Sequence, residues 1–280
     1  MSRFETEDGL SLHYDDEGEG DPILCLAGLT RNGRDFDEFA AALPEGFRVV
    51  RLDSRGRGRS DRDPNFNNYN VMKEAADALA LLDHLGIERT IVVGSSRGGL
   101  LAMVTAATAP QRLRGVVLND VGPVVDPKGV EKIMSYLGRP PEATTMEEAA
   151  TALETAFGGD FPGAGTDFWR YWAERGFDET DEGLAVAYDP KLRDAVEAQA
   201  ASFDPEGPGL WPLFAALGPI PTLLLRGENS DLLSAETAAE MEKRKPDLKV
   251  AVVQRRGHIP RLNEPDAIGP ILDFIGGLDD

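Results

Sequence analysis

Ile91-Val92-Val93-Gly94-Ser95-Ser96-Arg97-Gly98-Gly99 is the stretch on which the fold turns. A short apolar run passes through Gly-x-Ser-x-Gly into a helical pattern over residues 97–109, which stops at Pro110. A strand that turns into a helix through this pentapeptide projects its middle serine from the sheet edge. Glycines at 94 and 98 let neighbouring backbone close in. The helix start brings backbone N–H groups and the positive end of a dipole to the same place. Spacing selects Ser96 and makes Ser95 the variable position. Taken by itself the segment also suits a plain polar turn, so the choice rests on its partners.

Working outward, residues 3–7 and 10–14 alternate like paired strands about an Asp8-Gly9 turn, and a polar stretch, 15–21, follows. Short apolar runs at 23–26, 47–52, 90–93 and 115–118 have the character of buried parallel strands. Between them, residues 72–85 read as a helix capped by Gly86. Strand and helix alternating in this way imply an α/β fold with a mostly parallel sheet. The rhythm breaks after Pro123. Residues 124–211 hold helical patches but no buried strand, with breaks at Arg139-Pro140-Pro141, Phe161-Pro162-Gly163 and Pro205-Glu206-Gly207-Pro208-Gly209. The pattern resumes with strands at 221–225 and 250–253 and helices at 235–245 and 264–276. A core of residues 1–123 and 212–280, with a helical cap at 124–211 over the end of the sheet, is the expected organisation.

A serine needs an adjacent base to become a nucleophile, and the chain has three histidines. His13 lies in the first hairpin, before the parallel sheet. His84 sits near a helix end, where packing explains it. His258, in Arg256-Gly257-His258-Ile259-Pro260, falls in a loop between the last strand and the last helix, at the sheet edge where open α/β sheets build sites. The base in turn needs an acceptor on its other nitrogen. Asp231, in the post-strand loop Leu225-Arg226-Gly227-Glu228-Asn229-Ser230-Asp231, is preferred, and Ser96, Asp231, His258 gives the order of an α/β-hydrolase triad. Glu228 in the same loop and Asp120, directly after the 115–118 strand, are the rivals. Asp120 would also lie at the sheet edge. Oxyanion donors are expected from the backbone N–H of Arg97, next to the nucleophile, and of Leu29 in Ala27-Gly28-Leu29-Thr30, with Gly28 easing the approach.

Other signals exclude more than they assign. The 280 residues carry 49 acidic against 29 basic side chains, a formal charge of −20, which argues against gripping nucleic-acid phosphates. The single cysteine, Cys25, reads as a buried small hydrophobe within an apolar strand. Arg55-Gly56-Arg57-Gly58-Arg59-Ser60 lacks the third glycine of a dinucleotide site. No phosphate loop or metal-ligand spacing stands out, so no cofactor and no metal are expected. With no signal-like apolar N-terminus and no run approaching a bilayer span, a cytoplasmic protein without membrane contact, monomer or homodimer, is expected.

Leu26-Ala27-Gly28-Leu29, the arginine-rich run beginning Asp53-Ser54-Arg55, the serine turn, the Asp231 loop, and Gly257-His258 with Asn263-Glu264-Pro265 together closely resemble the α/β-hydrolase superfamily over nearly the whole chain. The chain looks like its branch of small, lidded bacterial serine esterases and enol-lactonases. The resemblance implies an eight-stranded, mostly parallel sheet flanked by helices, with a helical cap inserted after the sixth strand. In one respect the chain departs: many relatives carry His-Gly where Ala27-Gly28 stands, so polar support for that loop must come from elsewhere. Dehalogenases and epoxide hydrolases of this fold carry Asp where this chain has Ser96, which disfavours both activities.

The expectation is therefore hydrolysis of a small carboxylic ester or lactone through an acyl-enzyme on Ser96. Trp169, Tyr171, Trp172, Trp211, Met134 and Tyr136 are candidate pocket residues that equally suit the cap's own core. Acyl transfer, perhydrolysis, amide or C–C bond hydrolysis would use the same triad, and a non-catalytic ligand-binding protein on this scaffold is the more distant alternative.

Overall fold

Strands that alternate between two apolar layers make the centre of the molecule. The computed structural model describes residues 2–201 and 209–278, so most of the Pro205 to Gly209 stretch lies outside the described residues. In chain order the elements are β1 (Ser2–Glu5), β2 (Ser11–Gly18), β3 (Asp21–Leu26), α1 (Asp37–Ala42), β4 (Phe47–Leu52), α2 (Val71–His84), β5 (Thr90–Ser95), α3 (Arg97–Thr108) and β6 (Leu113–Asn119). After β6 come α4 (Pro127–Tyr136), α5 (Met146–Phe157), α6 (Thr166–Gly176), β7 (Phe177–Thr180), β8 (Gly183–Val186) and α7 (Leu192–Ala201). The chain closes with α8 (Trp211–Ala215), β9 (Thr222–Gly227), α9 (Ala235–Arg244), β10 (Lys249–Val253) and α10 (Pro265–Ile275).

Eight strands form one sheet in the order β1-β2-β4-β3-β5-β6-β9-β10, and β2 runs against the other seven. Each central strand sends alternate side chains to opposite faces. Leu24, Val92, Val116 and Leu224 enter the layer beneath α2, α3, α8 and α9. Cys25, Val93, Val117 and Leu225 enter the layer beneath α1 and α10. Continuous apolar runs are what strands covered on both faces require. Burial also pushes the Cys25 thiol above its ordinary pKa, in keeping with a core side chain.

Two elements were not legible beforehand. β2 continues through the polar residues to Gly18, because its carboxylates pair with the neighbouring strand: Asp16 accepts from Arg48 at 2.9 and 2.7 Å, and Glu17 pairs with Arg51. The β7–β8 hairpin lies within residues 124–211, and only Val186 among its strand residues is buried, so no alternation announces it.

The segment 124–201, between β6 and α8, contributes to neither apolar layer of the sheet among the described residues. Its α5 and α6 pack around Phe161, Phe168, Trp169 and Trp172, whose ring centroids lie 4.9–5.8 Å apart. The segment departs and returns at one point: a Cβ added to Gly209 would stand 3.7 Å from the Pro123 carbonyl oxygen. No helix among the described residues is long and apolar enough to cross a membrane.

Glycines report how tightly these layers meet. A Cβ on Gly98, at the start of α3, would lie 1.9 Å from the Leu26 carbonyl oxygen, whereas one on Gly269, inside α10, would meet nothing within 4 Å. Thermal melts should therefore separate two Gly→Ala changes by size. Gly98→Ala is expected to destabilise by about 2 kcal/mol or more, and Gly269→Ala to shift stability by less than about 1 kcal/mol, its helix-propensity gain being opposed by Pro270, which crowds a Cβ on the residue before it. Equal shifts would contradict this packing.

Candidate active site

Ser96 sits between the last residue of β5 and the first of α3 with φ 51° and ψ −117°. An L-residue holds that conformation only when its surroundings impose it. The imposing contacts are identifiable. Ser96 N–H donates to the Asn119 carbonyl at the end of β6 at 2.9 Å, and its own carbonyl accepts from Gly99 at 2.9 Å. A Cβ on Gly94 would lie 2.5 Å from the Gly98 carbonyl, so strand and helix touch across the turn.

His258 reaches this serine from the loop between β10 and α10. Its Nε2 is 2.9 Å from Ser96 Oγ, and its Nδ1 is 2.7 Å from Asp120 Oδ2. A proton on Nδ1 donated to the carboxylate leaves Nε2 free to accept from the serine hydroxyl. Asp120 is fully buried and firmly held: Gly227 N–H donates to its Oδ1 at 2.9 Å and Ser230 Oγ to its Oδ2 at 2.6 Å.

The carboxylate paired with His258 is thus Asp120 and not the expected Asp231. Strands β6 and β9 are neighbours, so the loops leaving them are adjacent, and both carboxylates were plausible partners. Asp120 is the first residue beyond β6, whereas Asp231 stands four residues beyond β9. At that distance Asp231 Oδ2 meets Lys132 Nζ of α4 at 2.9 Å, and Lys132 also pairs with Asp160. Glu228 accepts from the Arg255 backbone at 2.8 Å. The Asp231 loop still serves His258, through Ser230.

Above Ser96 and His258 lies a cavity of about 440 Å³, a size within the usual small-molecule range. Of the six candidate pocket residues, Tyr136, Tyr171 and Trp172 line it. The other three do not. Trp169 is buried in the α5–α6 aromatic cluster, Met134 packs beside Leu137 and Tyr188, and Trp211 meets Phe214 edge to face with the Arg244 guanidinium 3.8 Å from its ring centroid. Sequence reasoning had no depth information with which to separate them. Tyr171 is fixed by a 2.9 Å bond to the Asp35 carbonyl, and burial pushes its phenol up to about 12, so it is a neutral wall.

The family model for the alpha/beta hydrolase fold matches residues 21–265. The chain belongs to the α/β-hydrolase fold family. It is 37% identical to a 3-hydroxybutyrate-oligomer hydrolase from Cupriavidus necator, over 92% of this chain and 91% of that one. It is 28% identical to a 2-(acetamidomethylene)succinate hydrolase from Mesorhizobium japonicum, over 95% of this chain and 92% of the other. A crystal structure of an alpha/beta hydrolase from Novosphingobium aromaticivorans superposes with a TM-score of 0.91 at 40% identity, covering 98% and 97% of the two chains.

Within this α/β hydrolase, the residues expected to supply oxyanion donors border the serine. Arg97 is the first residue of α3, so its N–H belongs to the amino-terminal group without an intrahelical acceptor. Leu29 lines the cavity, and Gly28 before it accepts from Arg31 N–H at 3.2 Å, which turns the Leu29 N–H to the opposite side of that peptide. Space does not demand Gly28: a Cβ there would make ordinary contacts at 3.5 and 3.6 Å. The close approach occurs at Gly94 and Gly98.

Asn119 was not anticipated. Its Nδ2 donates to Ser95 Oγ and to the Pro260 carbonyl, each at 3.0 Å, stitching the serine turn to the histidine loop. A polar residue ending an apolar strand beside Asp120 was the available signal. Among the described residues no group of three or more His, Cys, Asp or Glu side chains is placed to hold a metal.

Fluorophosphonate labelling of Ser96 tests the corrected acid. Asp120→Asn should slow labelling by about 10³-fold or more, by the loss of tautomer control, while Asp231→Asn should stay within about 3-fold of the unaltered protein. The reverse ranking would restore Asp231.

Proposed function

We propose that the protein hydrolyses carboxylic esters through an acyl-enzyme on Ser96, and that esters of small hydroxy acids are its substrates. The unbroken hydrogen-bonded series Ser96 Oγ, His258 Nε2, His258 Nδ1 and Asp120 Oδ2, at 2.9 and 2.7 Å, carries the reading. His258 Nε2 takes the serine proton as Oγ bonds to the ester carbonyl carbon, and the carbonyl electron pair moves onto oxygen. Backbone N–H groups of Leu29 and Arg97 receive that oxyanion, each worth about 3 kcal/mol of barrier. The C–O bond to the alcohol then breaks, and the proton on His258 goes to the departing oxygen. Water repeats the sequence: His258 takes its proton, hydroxide adds to the acyl carbon, and Ser96 leaves with the proton returned. Asp120 holds the imidazole in one tautomer and stabilises its charged form throughout.

The choice of hydroxy-acid esters is supported by the 3-hydroxybutyrate-oligomer hydrolase, which matches nine-tenths of this chain. The cavity agrees with it in chemistry. Aromatic walls from Tyr136, Tyr171 and Trp172 suit the carbon skeleton, and the Arg31–Asp35 pair at 2.7 Å supplies polar lining.

Turnover of a 3-hydroxybutyrate dimer and of p-nitrophenyl acetate, followed by product analysis, tests the reading. Both should be cleaved, with a transient acyl group on the peptide containing Ser96, and Ser96→Ala should lower each rate by about 10⁴-fold or more. A folded Ser96→Ala protein that retained its rate would refute the mechanism. Cleavage of the aryl ester without the dimer would refute the substrate class.

A further inference from the structure

The Leu29 loop is held by a buried side chain from another part of the fold. Arg57, in the arginine-rich run, is buried and donates from Nε to the Leu29 carbonyl at 2.9 Å. Its Nη1 donates to Glu74 Oε1 at 3.0 Å and to the Arg55 carbonyl at 2.8 Å. Glu74, in the first turn of α2, also receives the Arg97 side chain: Nη2 to Oε1 at 2.8 Å and Nε to Oε2 at 3.0 Å. Arg97 Nη2 further donates to the Tyr69 carbonyl at 3.1 Å. One buried carboxylate therefore joins two guanidiniums. One of them grips the residue carrying the first oxyanion amide; the other belongs to the residue carrying the second.

We propose that the Arg57–Glu74–Arg97 cluster is the positioning device of the oxyanion hole, fixing the separation of the Leu29 and Arg97 amides. The inference rests on the ester-hydrolysis reading above. Its logic is geometric. Leu29 lies in a loop and Arg97 at a helix start, and no ladder of the sheet joins them directly. A bridge from the Leu29 carbonyl through Arg57 and Glu74 to the Arg97 side chain makes their spacing a property of one hydrogen-bonded unit. An arrangement serving stability alone would hardly choose it, because buried ion pairs rarely out-stabilise apolar packing. Here Arg57 Nη2 is left buried without a partner among the described residues. Both arginines hold the Glu74 carboxyl below its ordinary pKa against the opposing effect of burial, so Glu74 stays ionised. The same run is tied to the segment that follows β8. Gly58 N–H donates to the Ala187 carbonyl at 2.9 Å and Asp189 N–H to the Gly56 carbonyl at 2.7 Å, next to cavity-lining Tyr188. The loop that steadies the oxyanion site is thereby clamped from above.

Arg57→Met removes the link to Leu29 and half of the pairing at Glu74. Arg57→Lys keeps a cation beside Glu74 but cannot reproduce the fork. Both variants should be compared with the unaltered protein for kcat and KM on p-nitrophenyl acetate. Inhibition by a trifluoromethyl ketone, whose hemiketal copies the tetrahedral oxyanion, should be measured alongside. A misplaced donor predicts kcat lower by about 10- to 100-fold, KM within about 3-fold, and inhibitor affinity reduced in step with kcat/KM. Arg57→Lys should recover part of the loss and retain its melting temperature, so the test survives if Arg57→Met fails to fold. A folded Arg57→Lys with unchanged kcat and inhibitor affinity overturns the inference, as does a rise in KM with kcat unaltered. Ser96→Ala run in parallel keeps the two readings distinct. If it is inactive while Arg57→Lys is indistinguishable from the unaltered protein, only the positioning role fails.

Discussion

The amino end of α3 is pressed so closely onto the end of β3 that a single methyl group on Gly98 would overlap the Leu26 carbonyl oxygen. This contact leaves the chain no gentle route from β5 into the helix, and Ser96 is driven to φ 51° and ψ −117°. Such a conformation costs on the order of 1–3 kcal/mol, which the packing of α3 on the sheet offsets. Ala27, Gly28 and Leu29 follow directly from the pressed carbonyl, and Arg97 directly from the strained serine. The proposed nucleophile and both proposed oxyanion amides therefore lie within three residues of one tight junction. The site inherits its geometry from the way a helix meets a strand.

Much of this was legible because it is local. Apolar runs of four to six residues mark strands covered on both faces, and the glycine-flanked serine marks the turn. The three histidines separated on position alone. His84 packs against the rings of Phe4 and Tyr14 at 5.8 and 6.0 Å, and buried His13 lies 3.3 Å from Asp53. What escaped depends on contacts between distant residues. The polar half of β2 is stabilised by arginines 32 and 34 positions away. Asp120 and Asp231 are distinguished by depth, since the sheet brings both loops to His258 and only the shorter reach leaves the carboxylate buried.

Charge has a similar history in this molecule. An acidic excess of 20 suggests a uniformly solvated anionic surface, yet some carboxylates are internal supports. Arg55 is fully buried between Asp63 and Asp77, at 2.6 Å each. Buried Asp53 accepts from the backbone of Gly33 at 2.7 Å and Arg59 at 2.9 Å; these bonds and His13 hold it below the usual carboxylate range despite burial. Asp231, displaced from the histidine, joins Asp160 in neutralising Lys132, so a core loop and the inserted segment share one cation. Composition counts such groups, but only the fold shows which have left the water.

The meeting of Pro123 and Gly209 has a consequence for how this molecule can vary. A segment whose two ends nearly touch closes its own loop within the parent chain, and lengthening such a loop costs little: each doubling adds only about 0.6 kcal/mol of closure entropy. The sheet registers β5–β6 and β6–β9 are set entirely by residues outside it. Shortening, lengthening or exchanging the segment therefore leaves the strand pairing beneath Ser96 intact, while replacing about half of the residues that line the cavity. The junction separates residues that set the strand pairing from residues that supply about half of the cavity wall.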